Sequence, residues 1–184
     1  VDNSGGSVSG AGDVNGDGRA DLIIGARLAD PGGLAGAGTS YVVFGKSDSD
    51  PVDLAQVEAG TGGFRIDGAV TLSFLGTSVS GAGDVNGDGL ADLIVGAPYV
   101  NRGITVAAGE SYVIFGKTDG GAVNVDALGT GGFLIEGIDG YDYSGRSVSG
   151  AGDVNGDGRA DLIVGAFKAD HAGLSSAGES YVVF

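Results

Sequence analysis

Three short stretches of the sequence place oxygen-bearing side chains at the spacing of a calcium-binding loop. Each reads Asp-Val-Asn-Gly-Asp-Gly-x-Ala-Asp, and they start at Asp13, Asp84 and Asp153. Counted from the first Asp, side-chain oxygens fall at positions one, three, five and nine, with glycine at six. Ca²⁺ takes about six to eight oxygen ligands, so a short loop must turn sharply and fold alternate residues inward. The backbone carbonyl at position seven adds an oxygen, which explains why its side chain varies.

The chemistry predicted from these stretches is the binding of three Ca²⁺ ions, one in each loop. Asp, Asn and Gly also mark ordinary polar turns. Three copies of a full ligand pattern, with glycine at the same place, favour metal binding over that simpler interpretation. The predicted ligands are Asp13, Asn15, Asp17, Arg19 (carbonyl) and Asp21; Asp84, Asn86, Asp88, Leu90 (carbonyl) and Asp92; and Asp153, Asn155, Asp157, Arg159 (carbonyl) and Asp161.

The residues after each loop decide between a helical and a β setting. A helical EF-hand or dockerin-like loop needs an acidic residue at position twelve, where this chain has Ile24, Val95 and Val164. Each loop instead runs into Leu-Ile-Ile-Gly-Ala or Leu-Ile-Val-Gly-Ala, a β-branched run closed by glycine. Such a run is typical of a buried strand. We therefore expect each loop to join two strands.

The loops recur after 71 and then 69 residues, so the chain consists of repeats of four strand candidates each. The repeats span 1–76, 77–145 and 146–184. The last strand candidate, Phe64–Asp67 in the first repeat, alternates apolar and polar residues like a half-exposed strand. Strand candidates one to four are 7–12, 21–26, 40–44 and 64–67; 78–83, 92–97, 111–115 and 133–136; and 147–152, 161–166 and 180–184. The fold class is thus all-β, with four-stranded antiparallel sheets repeated as in a β-propeller, two repeats complete and the third lacking its last strand.

Composition and charge indicate an extracellular protein. The 184 residues include 40 glycines and no cysteine, so tight turns are frequent and bound metal, not a disulfide, is the available cross-link. The formal net charge of −15 repels phosphate backbones and anionic lipids, so we expect no nucleic-acid partner and no membrane insertion. No apolar run approaches the ~18 residues of a membrane span, and no export signal is visible.

A family resemblance supports the same interpretation. The motif Asp-Val-Asn-Gly-Asp-Gly-x-x-Asp-Leu-Ile-Val-Gly-Ala-Pro, complete at 84–98, resembles the FG-GAP repeat of integrin α-subunit propellers and of large secreted bacterial repeat proteins. The resemblance implies propeller blades in which the acidic loop is a hairpin between the first two strands and binds Ca²⁺. The motif departs from that pattern where Pro98 is replaced by Arg27 and Phe167, and where the Phe-Gly pair becomes Phe74-Leu75-Gly76.

The sequence predicts a scaffold and not an enzyme, because the three motifs are nearly identical and His171 is the only histidine. The predicted function is a calcium-stabilised extracellular propeller segment in an adhesive, cell-surface or filament scaffold. The alternative is a carbohydrate-binding propeller that uses the variable loops 27–39, 98–110 and 167–179, where recognition residues concentrate. Loop candidates for protein or glycan ligands are Arg27, Tyr99, Asn101, Arg102, Phe167, Lys168 and His171.

Two further expectations concern the rims of the sheets. A third repeat without its fourth strand leaves a sheet edge that further repeats of the same polypeptide, or other copies of the chain, are expected to cover by strand addition. Helical turns are expected at 52–55 and 123–126, in the long loops that follow the third strands.

Overall fold

The computed structural model describes residues 2–101 and 103–184, which form three sheets of short strands, antiparallel except for one pair. Sheet one comprises β1 (Ser4–Gly12), β2 (Asp21–Ala26), β3 (Thr39–Val43) and β4 (Gly63–Asp67), with β8 (Val123–Asn124) at its edge; sheet two comprises β5 (Ser78–Gly83), β6 (Asp92–Ala97), β7 (Glu110–Ile114) and β9 (Gly132–Glu136); sheet three comprises β10 (Ser147–Gly152), β11 (Asp161–Ala166) and β12 (Glu179–Val183). One α-helix, α1 (Leu54–Glu58), and two 3-10 turns (Pro31–Gly33 and Val125–Ala127) complete the described part of the chain.

The second strand of each sheet forms where the β-branched run predicts it. The bounds of β2, β6 and β11 match the expected ranges, and the third strands begin one residue earlier than expected. Every residue of β6 is buried, because sheet two lies between the other two sheets. The prediction that a strand and not a helix follows each acidic loop is therefore confirmed.

The strand β8 is a twelfth strand that the sequence pattern does not reveal. Val123 and Asn124 belong to the second repeat, yet they pair in parallel with Ile66 and Asp67 of the first. The expected helical turn starts only at Val125, because the Asn124 side chain caps it by accepting a hydrogen bond from the backbone amide of Asp126. A loop of one repeat thus closes the edge of the preceding sheet.

The hydrophobic core lies between neighbouring sheets. Ile23 of sheet one is buried in the same cluster as Leu93 of sheet two, and Ile94 of sheet two shares a second cluster with Leu162 of sheet three. The same pair of repeat positions, an isoleucine of one sheet and a leucine of the next, is thus buried at both interfaces. Sheet two buries one apolar face against sheet one and the other against sheet three, as stacked repeats do.

Backbones of adjacent sheets approach closely where the repeat has glycine. A Cβ atom added at Gly25 would overlap the carbonyl oxygen of Gly76, and one added at Gly96 would overlap that of Gly145. Hydrogen bonds cross the same interface, since the Ala91 amide donates to the Asp13 carbonyl at 3.0 Å. Among the residues described, no helix is long and apolar enough to cross a membrane.

Candidate metal centre

The acidic loops connect the first and second strands of their sheets, and the aspartate at position one organises each of them. Asp13 Oδ1 accepts hydrogen bonds from the backbone amides of Gly16 at 2.8 Å and Asp17 at 3.0 Å, and its Oδ2 accepts one from Gly18 at 2.8 Å. The equivalent bonds in the other two loops are 2.6 to 3.1 Å long. Three loops therefore hold this carboxylate in one common way. The acidic loops span 13–21, 84–92 and 153–161.

The side chains at positions three and five are held in the same turn. Asn15 Oδ1 accepts a hydrogen bond from the Asp17 amide at 3.0 Å, and Asp17 Oδ1 accepts one from the Arg19 amide at 2.9 Å. The amide group of Asn15 also donates to Asp17 Oδ2 at 3.4 Å, a contact that shortens to 2.9 and 3.1 Å in the second and third loops. The structure thus brings the oxygens of positions one, three and five onto one short, exposed turn.

The aspartate at position nine is buried and joins the loop to the sheet. Asp21 Oδ2 accepts a hydrogen bond from the Val14 amide at 2.8 Å, and its Oδ1 accepts one from the Gly45 amide at 2.7 Å, just beyond the third strand. Asp92 accepts the equivalent pair, both at 2.8 Å. Asp161 accepts the first of these bonds at 2.7 Å. Position nine therefore has a structural role that the ligand pattern alone does not predict.

The burial of position nine affects its ionisation. Burial raises the pKa of the Asp21 and Asp92 carboxyls above the usual range, while their backbone hydrogen bonds oppose that rise. A nearby positive charge favours the ionised form of such a group. A cation in the loop would therefore favour the charged state of these carboxylates.

The backbone of position seven takes part in the hydrogen bonding of the loop, and its side chain contacts residues around it. Leu90 donates its amide to Asp88 Oδ1 at 2.8 Å, and its side chain reaches the preceding acidic loop, where a Cβ atom added at Gly16 would lie 3.0 Å from Leu90 Cδ2. Arg19 Nη1 lies 3.3 Å from Asp17 Oδ2, an exposed ion pair within the loop. The side chain at position seven thus contacts the preceding loop in the case of Leu90 and its own loop in the case of Arg19.

The donor atoms suit a hard cation, although the acidic side chains do not converge on one point. Across residues 2–101 and 103–184, no three Asp, Glu or His side chains form a group that could hold a metal. Each loop nevertheless offers oxygens only, from three carboxylates and one amide. A carboxylate has about four lone-pair sites, so one that accepts two or three hydrogen bonds keeps acceptor capacity for an ion. The residues present thus fit Ca²⁺ by their chemistry.

A row of aromatic rings crosses all three repeats. The ring centroids of Phe74 and Tyr99 are 5.2 Å apart, those of Tyr99 and Tyr143 are 5.3 Å apart, and those of Tyr143 and Phe167 are 5.6 Å apart. Lys168 Nζ lies 5.2 Å from the Tyr143 centroid. The sequence places Tyr99 and Phe167 in variable loops, but it does not predict that Phe74 and Tyr143 join them in one surface. The only signal for them was an aromatic residue two positions before a glycine in both repeats.

The other loop candidates have local roles or lie elsewhere. Asn101 Oδ1 accepts a hydrogen bond from a backbone amide of its own loop at 2.9 Å, so that side chain shapes the loop. His171 Nδ1 lies 2.7 Å from Glu179 Oε1. Arg27 is half-buried, and Arg102 lies outside the described residues. Among the loop candidates, Tyr99 and Phe167 therefore belong to a connected surface, which they form together with Phe74 and Tyr143 from outside the variable loops.

Comparison with protein families identifies the repeat. The model of the FG-GAP repeat matches residues 4–43, 75–123 and 144–183. The chain belongs to the FG-GAP repeat family. Together with the antiparallel sheets, this membership confirms the predicted all-β propeller fold and the family resemblance of the sequence motif.

Curated FG-GAP relatives are much longer than this chain. Integrin alpha pat-2 of Caenorhabditis elegans is 36% identical over 177 residues, which cover 92% of this chain and 14% of the relative. Integrin alpha-PS2 of Drosophila melanogaster is 31% identical over 167 residues, covering 86% and 11%. Phosphatidylinositol-glycan-specific phospholipase D of Mus musculus is 32% identical over 153 residues, covering 83% and 17%. The chain thus spans less than a fifth of the length of these relatives.

The phospholipase relatives correct one expectation from the sequence. The near-identity of the three loops predicted a protein that is not an enzyme, and that prediction is wrong as a deduction from the repeat. Regions 31–32% identical to this chain occur in proteins named phosphatidylinositol-glycan-specific phospholipase D, in mouse, rat and human. The physical reason is that repeated loops report a repeated structural role, whereas catalysis depends on sites carried elsewhere on a scaffold.

Proposed function

We propose that this chain is a Ca²⁺-stabilised β-propeller segment of an extracellular adhesive or cell-surface scaffold, built from repeats at 1–76, 77–145 and 146–184. The observation that carries the proposal is the repeated cradle, in which a position-one aspartate accepts three backbone hydrogen bonds in every acidic loop. The family shared with integrin alpha chains supports the adhesive role. Protein or glycan ligands, and further repeats or copies, are the partners we propose.

The same five positions would hold one ion in each loop. Asp84, Asn86, Asp88 and Asp92, with the carbonyl of Leu90, would do so in the second loop, and their equivalents in the others. The ion would supply positive charge where three carboxylates repel one another. Three ions of charge +2 would reduce the formal net charge of the chain from −15 to −9. The backbone hydrogen bonds orient the carboxylates before any ion arrives, which lowers the entropic cost of binding.

The loop chemistry favours Ca²⁺ over Mg²⁺ and an extracellular setting. Mg²⁺ demands near-ideal octahedral geometry at about 2.0–2.1 Å, whereas Ca²⁺ accepts irregular cages of carboxylate, amide and carbonyl oxygens. Extracellular calcium modules operate with dissociation constants of about 10⁻⁴–10⁻³ M, so exposed loops of moderate affinity suffice there. Localisation outside the cell therefore follows from the same proposal.

Calorimetric titration tests the number and place of the sites. The metal-free chain should bind three Ca²⁺ ions, and Asp88→Ala should bind two because it removes one ligand of the middle loop. Asp119→Ala is the matched control, since Asp119 is an exposed aspartate paired with Lys117 outside the acidic loops. It should still bind three. Fewer than three sites in the unaltered chain, or three in Asp88→Ala, would contradict the proposal.

The aromatic row supports glycan recognition as a second candidate function. Tyr99 and Phe167 are exposed, and their ring contacts through Tyr143 form a continuous apolar surface with Lys168 at one end. Aromatic side chains offer large contact areas at low conformational cost, with polar groups beside them for hydrogen bonding. An extended sugar chain matches such a row better than a compact ligand does.

Binding to a glycan array in saturating Ca²⁺ tests this candidate. Tyr99→Ala and Phe167→Ala should each abolish binding while leaving the Ca²⁺ stoichiometry unchanged. Phe184→Ala is the control, because Phe184 is an exposed aromatic residue that is not among the rings of the row. Glycan binding that is unaffected by Tyr99→Ala would place recognition on another surface.

A further inference from the structure

The three acidic loops lie side by side, and backbone hydrogen bonds join each loop to the preceding one. The Ala91 amide, at position eight of the second loop, donates to the Asp13 carbonyl of the first at 3.0 Å. The Ala160 amide, at position eight of the third loop, donates to the Asp84 carbonyl of the second at 3.0 Å. These bonds hold the residue before them, at position seven, at the boundary between two loops.

The side chain at position seven reaches position four of the preceding loop. A Cβ atom added at Gly16 in the first loop would lie 3.0 Å from Leu90 Cδ2. One added at Gly87 in the second loop would lie 3.7 Å from Arg159 Nε. Position four lies between the ligand positions three and five, and the Gly87 amide donates to the position-one carboxylate of Asp84 at 2.7 Å. The position-seven side chain thus borders the ligands of the loop before its own.

This neighbouring side chain is charged at one loop and neutral at the other. The first and second loops have the same sequence except at position seven, whose ligand would be a backbone carbonyl. The first loop is bordered by Leu90, which is half-buried and apolar. The second is bordered by Arg159, which is exposed and whose guanidinium is always protonated. Two loops with the same ligands therefore differ in the charge that the next loop places beside them.

A fixed positive charge beside a carboxylate site weakens the binding of a further cation. In the empty second loop, the Arg159 guanidinium offsets part of the repulsion among the three carboxylates, and in the loaded loop it repels the ion. Both contributions favour the metal-free state. Because the side chain is exposed, its effect acts through water and is screened by salt, over a Debye length of about 8 Å at physiological ionic strength.

We propose that the side chain at position seven of one acidic loop sets the Ca²⁺ affinity of the preceding loop. Arg159 of the third loop lowers the affinity of the second, and Leu90 of the second loop adds no charge to the first. The inference rests on the proposed binding of one Ca²⁺ ion in each loop. Arg19 places a guanidinium within the first loop itself, 3.3 Å from Asp17, so the neighbour's effect is isolated by substitutions outside the loop that is measured.

Calorimetric titration with Ca²⁺ at low ionic strength tests the effect on the second loop. Asp17→Ala and Asp157→Ala together remove one ligand from each outer loop and leave the second loop as the one complete site. In this background, Arg159→Leu should lower the dissociation constant about three- to tenfold, as expected for one exposed charge near a divalent ion. Arg159→Lys keeps the charge, so it is the matched control and should change the constant less than about twofold.

The reciprocal substitution tests the first loop. Asp88→Ala and Asp157→Ala together leave the first loop as the one complete site, and Leu90→Arg should then raise its dissociation constant about three- to tenfold. Leu90→Met is the control, because it keeps an apolar side chain of similar size. In about 1 M KCl, where the Debye length is about 3 Å, both charge effects should nearly disappear. A difference that persists undiminished at high salt would assign the effect to packing and overturn the proposal.

The unaltered chain separates the failure of this inference from the failure of the calcium proposal. Three sites in the unaltered chain, with less than a twofold change on Arg159→Leu, would overturn the inference alone, whereas fewer than three sites would overturn both. Urea unfolding in EDTA gives a readout without metal. There, Arg159→Leu should unfold at lower urea than Arg159→Lys, because only the lysine variant still offsets the repulsion among the carboxylates. An equal or higher midpoint for Arg159→Leu would also count against the proposal.

Discussion

Replacing Asp92 by alanine should destabilise the fold even when no metal is present. The buried Asp92 carboxylate accepts hydrogen bonds from the amides of Val85 and Gly116, both at 2.8 Å. Alanine leaves two donors without a partner, and each buried unsatisfied donor costs about 1–3 kcal/mol. The expected loss is therefore about 2–6 kcal/mol, a large part of the ~5–15 kcal/mol that keeps a domain folded.

Urea unfolding at pH 7 in EDTA, followed by far-UV circular dichroism, measures this loss without a metal contribution. Asp92→Asn should lose less than Asp92→Ala, because its one carbonyl oxygen still accepts one of the two bonds. Asp88→Ala is the matched control, since Asp88 accepts the Leu90 amide on the exposed side of the same loop. It should change the free energy of unfolding by well under ~1 kcal/mol in EDTA. An Asp92→Ala variant within ~1 kcal/mol of the unaltered chain would refute the structural role of position nine.

Three further outcomes are expected. Chelation should lower the melting temperature seen by calorimetry, because a ligand at a hundredfold excess over Kd stabilises by about 2.7 kcal/mol per site; equal melting with and without EDTA would contradict the calcium proposal. Burial is the main cause that raises the pKa of Asp142 in the folded protein, so ionisation of this carboxyl opposes folding at pH values above its unfolded-state pKa of 3.8. Asp142→Asn removes that charge and should therefore raise the free energy of unfolding at pH 7 and change it little at pH 3. Gly96→Ala should lower the free energy of unfolding by about 1–3 kcal/mol, because the new methyl group overlaps the Gly145 carbonyl. Gly165→Ala is the control and should lower it less, because its methyl group meets mainly the end of the Ser147 side chain. Equal losses measured by urea unfolding would show that contact between sheets is not the cause.

The strands and the acidic loops could be predicted from sequence because their signals are local. The run Leu-Ile-Val-Gly-Ala specifies a buried strand by its side chains alone, and the loop motif specifies its turn by the spacing of Asp, Asn and Gly. The hydrogen bond from Gly45 to Asp21 was not predictable in this way, since its partners are 24 residues apart and meet only when the sheet forms. The aromatic row depends on contacts between repeats for the same reason.

The wrong prediction that this protein is not an enzyme shows a different limit of reasoning from the sequence. Nearly identical loops establish that one role is repeated, and they carry no information about sites in the rest of a longer protein. The named phospholipase relatives extend far beyond the matched region. Function inferred from a repeat is therefore restricted to what the repeat itself does.

The two-residue strand β8 shows that a sheet with its edge paired needs more residues than one sequence repeat contains. Val123 and Asn124 close an edge made by Ile66 and Asp67, so a fragment cut after residue 76 would contain four paired strands and still present unpaired amide and carbonyl groups. A cut after residue 127 would retain that closure. A gene duplication that copies one sheet with its edge protected must therefore also carry most of the next repeat, as far as the residues equivalent to Val123 and Asn124, and the module that can be inherited intact is longer than the period that the sequence displays.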